Sequence, residues 1–408
     1  MLPGEATSLQ DSDAVAILDP GLQGGGGDGN GFLAKSLQFL AYEEKYQTAL
    51  TVLFAIEEIN RNEDLLPNIT LGFHLLESFM NEAETLKGYM EILSGGRYQI
   101  PNYKCASQGH LVAVVGFASS VLSLLVANTF GIYGYPQISY GATDPHLSNK
   151  LMFPYFYRTV HSSVHLSNAL SSVLKHFGWA WVGIVYSTVE SNENAIQKLK
   201  SSIITQGSCI EFTEKFLGST NYWITEYKRI VKVISESSAT IIVFWADLEF
   251  ASNLYLLLRH LTMTEKVWII LTDMYHLISN KDVVDLSRFH GTLAIQMKTL
   301  EIPGLMPFLW NITLDQYNCN FIFLCKIVLY EYKIVDGKLL DHTCKHDKAK
   351  KILMGVETLV ESYRVYNAIY ALAHALHMFM ATKYWKESQI EGASLSYEHP
   401  WKDSSTTQ

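Results

Sequence analysis

Apolar positions along the chain follow a helical period in some stretches and a strand-like run in others. Over 47–62, Leu50, Leu53, Phe54, Ile56 and Ile59 recur at helical spacing while Glu57, Glu58 and Arg61 supply a polar side, which predicts an amphipathic helix. Leu66-Pro67-Asn68 ends it, 69–76 reads as a strand, and 82–93 reads as a second helix before the Gly95-Gly96 turn. A strand over 111–115, a helix from Ser119 and a short strand over 137–140 come next. After Arg158 the rhythm restarts. Helices over 166–177, 193–206, 222–235 and 248–261 alternate with strands over 179–186, 209–216, 240–245 and 267–271.

Strands such as ATIIVFW and KVWIIL are apolar on both faces, so they belong in parallel sheets covered by helices on each side. The expected fold is α/β, with two doubly wound parallel-sheet lobes joined by a hinge near 158–164 and ligands received at the carboxyl ends of the strands. At 408 residues the chain exceeds the roughly 150 of one typical domain, which suits two lobes. Residues 1–31, ending in GLQGGGGDGNG, read as a low-complexity leader with no fold of their own. Lobe 1 is assigned to 32–160, lobe 2 to 161–298, a return segment with a C-terminal helix to 299–391, and a tail to 392–408.

Composition narrows the function. With 48% apolar and 17% charged residues the chain is globular, and a net charge of −9 without any Lys/Arg run gives nucleic acid no footprint. The stretch 112–130 approaches the roughly 20 apolar residues of a membrane span. It nevertheless holds Gly116, Ser119, Ser120, Ser123 and Asn128 and divides into a β-branched run and a helical run, as a buried strand feeding a helix does. The stretch 366–380 is too short to span and carries Asn367, His374 and His377. The first 20 residues lack a basic region and a long apolar core, so they are not read as a signal peptide. Asn68 and Asn311 begin glycosylation sequons, which matter only in a secreted context, and the five cysteines allow two bridges and one unpaired thiol.

Chemistry-bearing motifs are few. Gly24 to Gly29 satisfies G-x-G-x-x-G after the run AVAIL, but four consecutive glycines read as low complexity, and the acidic residue expected about 20 positions on would be Glu43 or Glu44, just before a helix. His342, Cys344 and His346 fit no standard zinc spacing. His161, His165 and His176 are scattered over a turn and a helix, and no nucleophile elbow, P-loop or H-E-x-x-H occurs. Neither a cofactor, a metal nor an enzymatic activity is expected. More informative is the segment 116–121, which puts small residues and amides at a helix N-terminus between a buried strand and a helix, where carboxylates bind. The loop Tyr140-Gly141-Ala142-Thr143-Asp144 opens onto the same edge, and together the two loops could hold an amino-acid head group, with Thr143 among the donors.

Beyond these patterns, TVLFAIEEINRNEDLLPNITLGFHLLES, PNYKC, the whole of 116–160, HFGWAWVGIVYS and YNAIYALAHAL resemble the extracellular domain of type-2 vomeronasal receptors. They are similar, more distantly, to metabotropic glutamate and calcium-sensing receptors. The resemblance implies a bilobed Venus-flytrap of periplasmic-binding-protein type I, at the extracellular side of the plasma membrane, that closes on an amino-acid-like or peptide pheromone ligand. It also implies homo- or heterodimers through lobe 1, and coupling to a G protein only through a seven-helix domain that this chain does not contain. Carried over by position, the carboxylate contacts fall on Ser120 and Thr143, with Gly141 and Ala142 lining the same loop. Asp273 stands where some amino-acid-binding relatives have an acidic residue near the ligand amine. Two positions depart: Ser163 stands where an acid would meet the amine, and Ser191 where a ring would cover the ligand. The resemblance further implies that the first strand of lobe 1 is missing, along with the cysteine that would pair with Cys105. A soluble nucleotide-cofactor βα enzyme and a receptor fragment without a ligand are the competing readings.

Overall fold

The computed structural model describes residues 12–16, 32–67, 69–74, 82–94, 111–187, 192–216, 223–245, 266–271, 291–295, 298–311 and 360–389. Strands β1 (Ser12–Ala16), β2 (Thr70–His74), β3 (Leu111–Val115), β4 (Gln137–Ser139) and β5 (Phe156–Arg158) form a parallel sheet in the order β2-β1-β3-β4-β5. A second parallel sheet holds β6 (Trp181–Ser187), β7 (Cys209–Phe216), β8 (Ile241–Trp245), β9 (Val267–Ile270) and β10 (Leu293–Ala294) in the order β10-β9-β8-β6-β7. The two orders are the same doubly wound pattern. In each, the chain reverses direction beside its first strand, between β1 and β3 and between β6 and β8, and such a switch point is where open α/β sheets receive ligands.

Helices cover both sheets: α1 (Phe32–Arg61), α2 (Glu82–Ser94) and α3 (Ser120–Tyr133) in the first half, then α4 (Ser163–His176), α5 (Asn192–Thr205) and α6 (Trp223–Glu236). The chain then returns through α7 (Leu305–Asn311) and α8 (Val360–Gln389). Strand β3 shows why its sequence is apolar throughout. Ala113 and Val115 pack against Ala55, Ile56 and Ile59 of α1 and Val365, Ile369 and Leu372 of α8, while Val114 packs on the other face with Tyr89 of α2 and Val126 and Phe130 of α3. In the second sheet Ile184, Val243 and Ile269 pack against Leu170 and Leu174 of α4 and Ile196 and Leu199 of α5. Glu58 of α1 accepts hydrogen bonds from the Tyr366 and Tyr370 hydroxyls of α8 at 2.8 and 2.7 Å, and Leu305 and Leu309 of α7 pack on Leu50 and Leu53. The return segment is thereby fastened to lobe 1.

Several expectations are corrected. Residues 1–31 do contribute to the fold: β1 is an inner strand of the first sheet, paired from Ser12↔Thr70 to Ala16↔His74 on one side and at Ala14↔Leu111 on the other, so the first strand of lobe 1 is present. It carries no cysteine. A short apolar run beside a glycine tract has no period of its own, and only its two neighbours make it a strand. The first helix begins at Phe32 instead of 47, and the helix expected from 166 begins at Ser163. Strand β5 was not anticipated. The helix expected over 248–261, together with Cys105, Cys319, Cys325 and Cys344, lies outside the described residues. The apolar stretch 112–130 resolves into β3 and α3 as expected, and among the described residues no helix is long and apolar enough to cross a membrane.

The packing of both sheets can be tested by substitution. Val15→Pro removes a ladder donor between β2 and β3, and should lower unfolding stability by about 1 to 3 kcal/mol for each buried acceptor it orphans; an unchanged urea midpoint would show that β1 does not sit in the sheet. In lobe 2, burial pushes the Glu211 carboxyl up, but hydrogen bonds from Ser238, the Ala239 amide and Trp181 outweigh it and hold it below the usual carboxylate range. Its contribution is therefore complete above about pH 4.3, the ordinary glutamate value, and is lost as pH falls through the lower folded value. Glu211→Gln should melt earlier than the parent at pH 7, and the difference should shrink as the pH falls below the ordinary glutamate range.

Candidate functional site

Two loops at the carboxyl ends of β3 and β4 are welded together by serine hydroxyls. Ser139, the last residue of β4, donates to the Phe117 carbonyl at 2.7 Å and accepts from the Ala142 and Gly141 amides at 2.9 and 3.3 Å. Gln137 Nε2 donates to the Gly116 carbonyl at 3.2 Å. Ser119 caps α3 by accepting from the Leu122 amide at 3.4 Å, which leaves Ser120 as the first residue of the helix. The Ser120 hydroxyl oxygen then accepts the amides of Thr143 and Asp144 at 3.1 and 3.3 Å. An oxygen that accepts twice offers any further partner a donated proton.

The approach is close enough to dictate composition. A Cβ on Gly141 would lie 2.5 Å from the Ala118 Cα and 2.6 Å from its carbonyl oxygen, so only glycine lets the two loops meet. From β5, Arg158 Nη1 donates to the carbonyls of Ala142 and Asp144 at 3.0 and 2.9 Å, and Nη2 reaches Ser148 Oγ. Asp144 in turn accepts from the His146 amide at 2.8 Å. The second loop is thus fixed from both sides.

It is also tied to lobe 2. The Ser163 amide donates to the Thr143 carbonyl at 2.9 Å, so the first residue of α4 hangs directly on the loop after β4. Nearby, Thr159 donates to the Arg364 carbonyl of α8 at 3.0 Å. Ser162, the N-cap of α4, makes no side-chain capping bond, and the buried hydroxyls of Ser162 and Ser163 have no hydrogen-bond partner among the described residues. Burial holds the His161 imidazole below its ordinary range, and Arg364, His165 and Arg158 push it further in the same direction. Burial also lowers the Arg158 guanidinium, against the pull of Asp144.

Of the residues singled out in the sequence, Ser120, Gly141, Ala142, Thr143 and Ser163 come together here. Ser120 and Ala142 are buried and Gly141 and Thr143 half-buried. The Thr143 amide donates to the Ser120 hydroxyl. Ser191, Asp273 and Asn68 lie outside the described residues, and Asn311 ends α7. Sequence reading missed Ser139, which a hydroxyl at the end of a short strand before Tyr140-Gly141 could have signalled. It also missed Arg158 and Arg364, for which no local pattern exists. Among the described residues no three His, Cys, Asp or Glu side chains are grouped to hold a metal. What the loops offer is hydroxyl donors and the positive end of α3, which suits an anionic group of a ligand.

The model of the receptor family ligand binding region matches residues 47–406. Vomeronasal type-2 receptor 26 of Mus musculus is 26% identical over 373 residues, covering 88% of this chain and 43% of that protein. The extracellular calcium-sensing receptor of Homo sapiens is 27% identical over 370 residues, 80% of this chain and 33% of that receptor. Taste receptor type 1 member 2 of Canis lupus familiaris is 25% identical over 378 residues, covering 88% and 43% respectively. The chain spans less than half the length of these relatives. Paired doubly wound sheets and a family match across most of the sequence agree: the chain belongs to the receptor family ligand binding region, of the kind found in class C G-protein-coupled receptors.

Proposed function

We propose that this chain is the ligand-binding part of a chemosensory class C receptor, and that its lobes close on an amino-acid-like or peptide ligand by hinge motion. The observation that carries the reading is the Ser120 bridge. It fixes the loops after β3 and β4 as one rigid ledge beside the switch point of lobe 1, with the N-terminus of α3 behind it. A ligand carboxylate would accept hydrogen bonds from Ser120 and Thr143, with Gly141 and Ala142 forming the floor. Ser191 and Asp273 are proposed to meet the ligand from lobe 2, and Asn68 and Asn311 to carry glycans. Pairing of two copies through lobe 1, an extracellular position and coupling to a G protein through a membrane domain are proposals that follow from the resemblance in sequence to vomeronasal receptors. The nucleotide-cofactor enzyme is set aside, because the family it would have to leave is a receptor ligand-binding one.

A panel of amino acids and peptides in thermal unfolding tests this directly. A ligand at a hundred times its Kd adds about 2.7 kcal/mol to the folded state, a rise of several degrees for lobes of this size. Ser120→Ala combined with Thr143→Ala should abolish the rise while the unliganded transition stays cooperative; a rise that survives the double change would remove these residues from the site. Gly141→Ala should cost roughly 1 to 3 kcal/mol by forcing the loops apart, and should weaken binding in proportion. Normal stability together with normal binding in that variant would mean that the loop apposition is not what builds the ledge.

A further inference from the structure

The hinge end of this cleft carries an unusual combination of groups. Ser162 and Ser163, 7% and 2% exposed, bury two hydroxyls that find no partner among the described residues, although such groups ordinarily do. Both stand at the N-terminus of α4, a helix of 14 residues whose dipole presents positive potential there. Around the same point basic groups gather. His161 is acted on by Arg158 from β5, His165 from α4 and Arg364 from α8, all cationic or able to become so. The acidic group that acts on this set is Asp144, which lies against Arg158 and also contacts His146 Nδ1 at 3.1 Å.

We propose that the hinge is an anion subsite, in which the Ser162 and Ser163 hydroxyls donate to an oxyanion group while Arg158, His161 and Arg364 supply its counter-charge. The inference rests on the cleft reading above and sharpens it: the ligand carries a carboxylate or similar oxyanion at the hinge, where an ammonium group would meet the Arg158 and Arg364 guanidinium groups. The Thr143 carbonyl to Ser163 amide bond places this subsite beside the Ser120 ledge, so the two can be spanned by one ligand bearing two anionic groups. A free inorganic oxyanion has the same chemistry, and the test separates the two sources.

The probe is sodium sulfate, which stays dianionic between pH 5.5 and 7.5, titrated into the whole chain with the melting temperature as readout. Saturation at millimolar sulfate is expected, with a larger shift at pH 5.5, because His161 is neutral at the higher pH and gains a proton more readily beside a bound anion. A rise that stays linear in sulfate would be general salting-out of the folded state and would overturn the proposal. Ser163→Asp puts a carboxylate where the anion would sit: it should raise the melting temperature of the unliganded chain and erase the sulfate response, whereas a lowered melting temperature with the response intact would also overturn it. Ser120→Ala with Thr143→Ala should keep the sulfate shift while losing that of the organic ligand. If sulfate competes with that ligand, the ligand's own anionic group occupies the hinge; if sulfate and ligand bind together, the subsite serves a free oxyanion. Loss of the panel response with sulfate binding intact would count against the cleft reading alone.

Discussion

The site depends on a backbone approach that tolerates no side chain. Gly141 and Ala118 come from loops on adjacent strands, and the space between them is smaller than a methyl group. Every polar group thrown together by that approach has to be satisfied internally, because burial leaves no water to do it. Ser139 and Ser120 meet the requirement, each accepting two amides of the second loop, and Arg158 takes the carbonyls on the other side. A rigid ledge results, and rigidity at a ligand's contact point lowers the ordering cost of binding.

The same rigidity explains how lobe 1 is joined to lobe 2. The loop that Arg158 and Ser120 hold is the loop whose Thr143 carbonyl receives the first amide of α4. Any displacement of that loop by a ligand is felt at the start of lobe 2 without passing through a flexible segment. The charges point the same way. His161 is acted on by Arg364, His165 and Arg158, and Asp144 acts on Arg158, so charged groups of both lobes meet at the pivot.

How far the sequence revealed this differs from element to element. Strands β3, β6 and β8 were legible because burial on both faces makes them continuously apolar, and α5 and α6 because they keep a polar side. Ser120, Gly141 and Thr143 were legible because small and hydroxyl residues between a strand and a helix point to a carboxyl-end loop. Strand β1 was hidden, since its residues are unremarkable until β2 and β3 flank them. Strand β5 was hidden for the same reason, and Arg158 with it. The hinge cluster had no local signature at all: it draws Arg158, His161 and Arg364 from three elements, and only the return of α8 along lobe 1 brings the last of them near the first two.

That return also bears on closure. Helix α8 packs on α1 through Val365, Ile369 and Leu372, while its first turn touches the hinge at Thr159. Arg364 therefore belongs to lobe 1 mechanically, whereas Ser163 belongs to α4. A group bound between them contacts both lobes at the pivot, where the lever arm is shortest and the geometry changes least as the lobes swing. Such a contact adds affinity in open and closed states nearly equally, and equal affinity for two states shifts no population. On the proposed reading, closure would then be driven by what lobe 2 offers farther out, while the hinge and the Ser120 ledge would select which ligand enters.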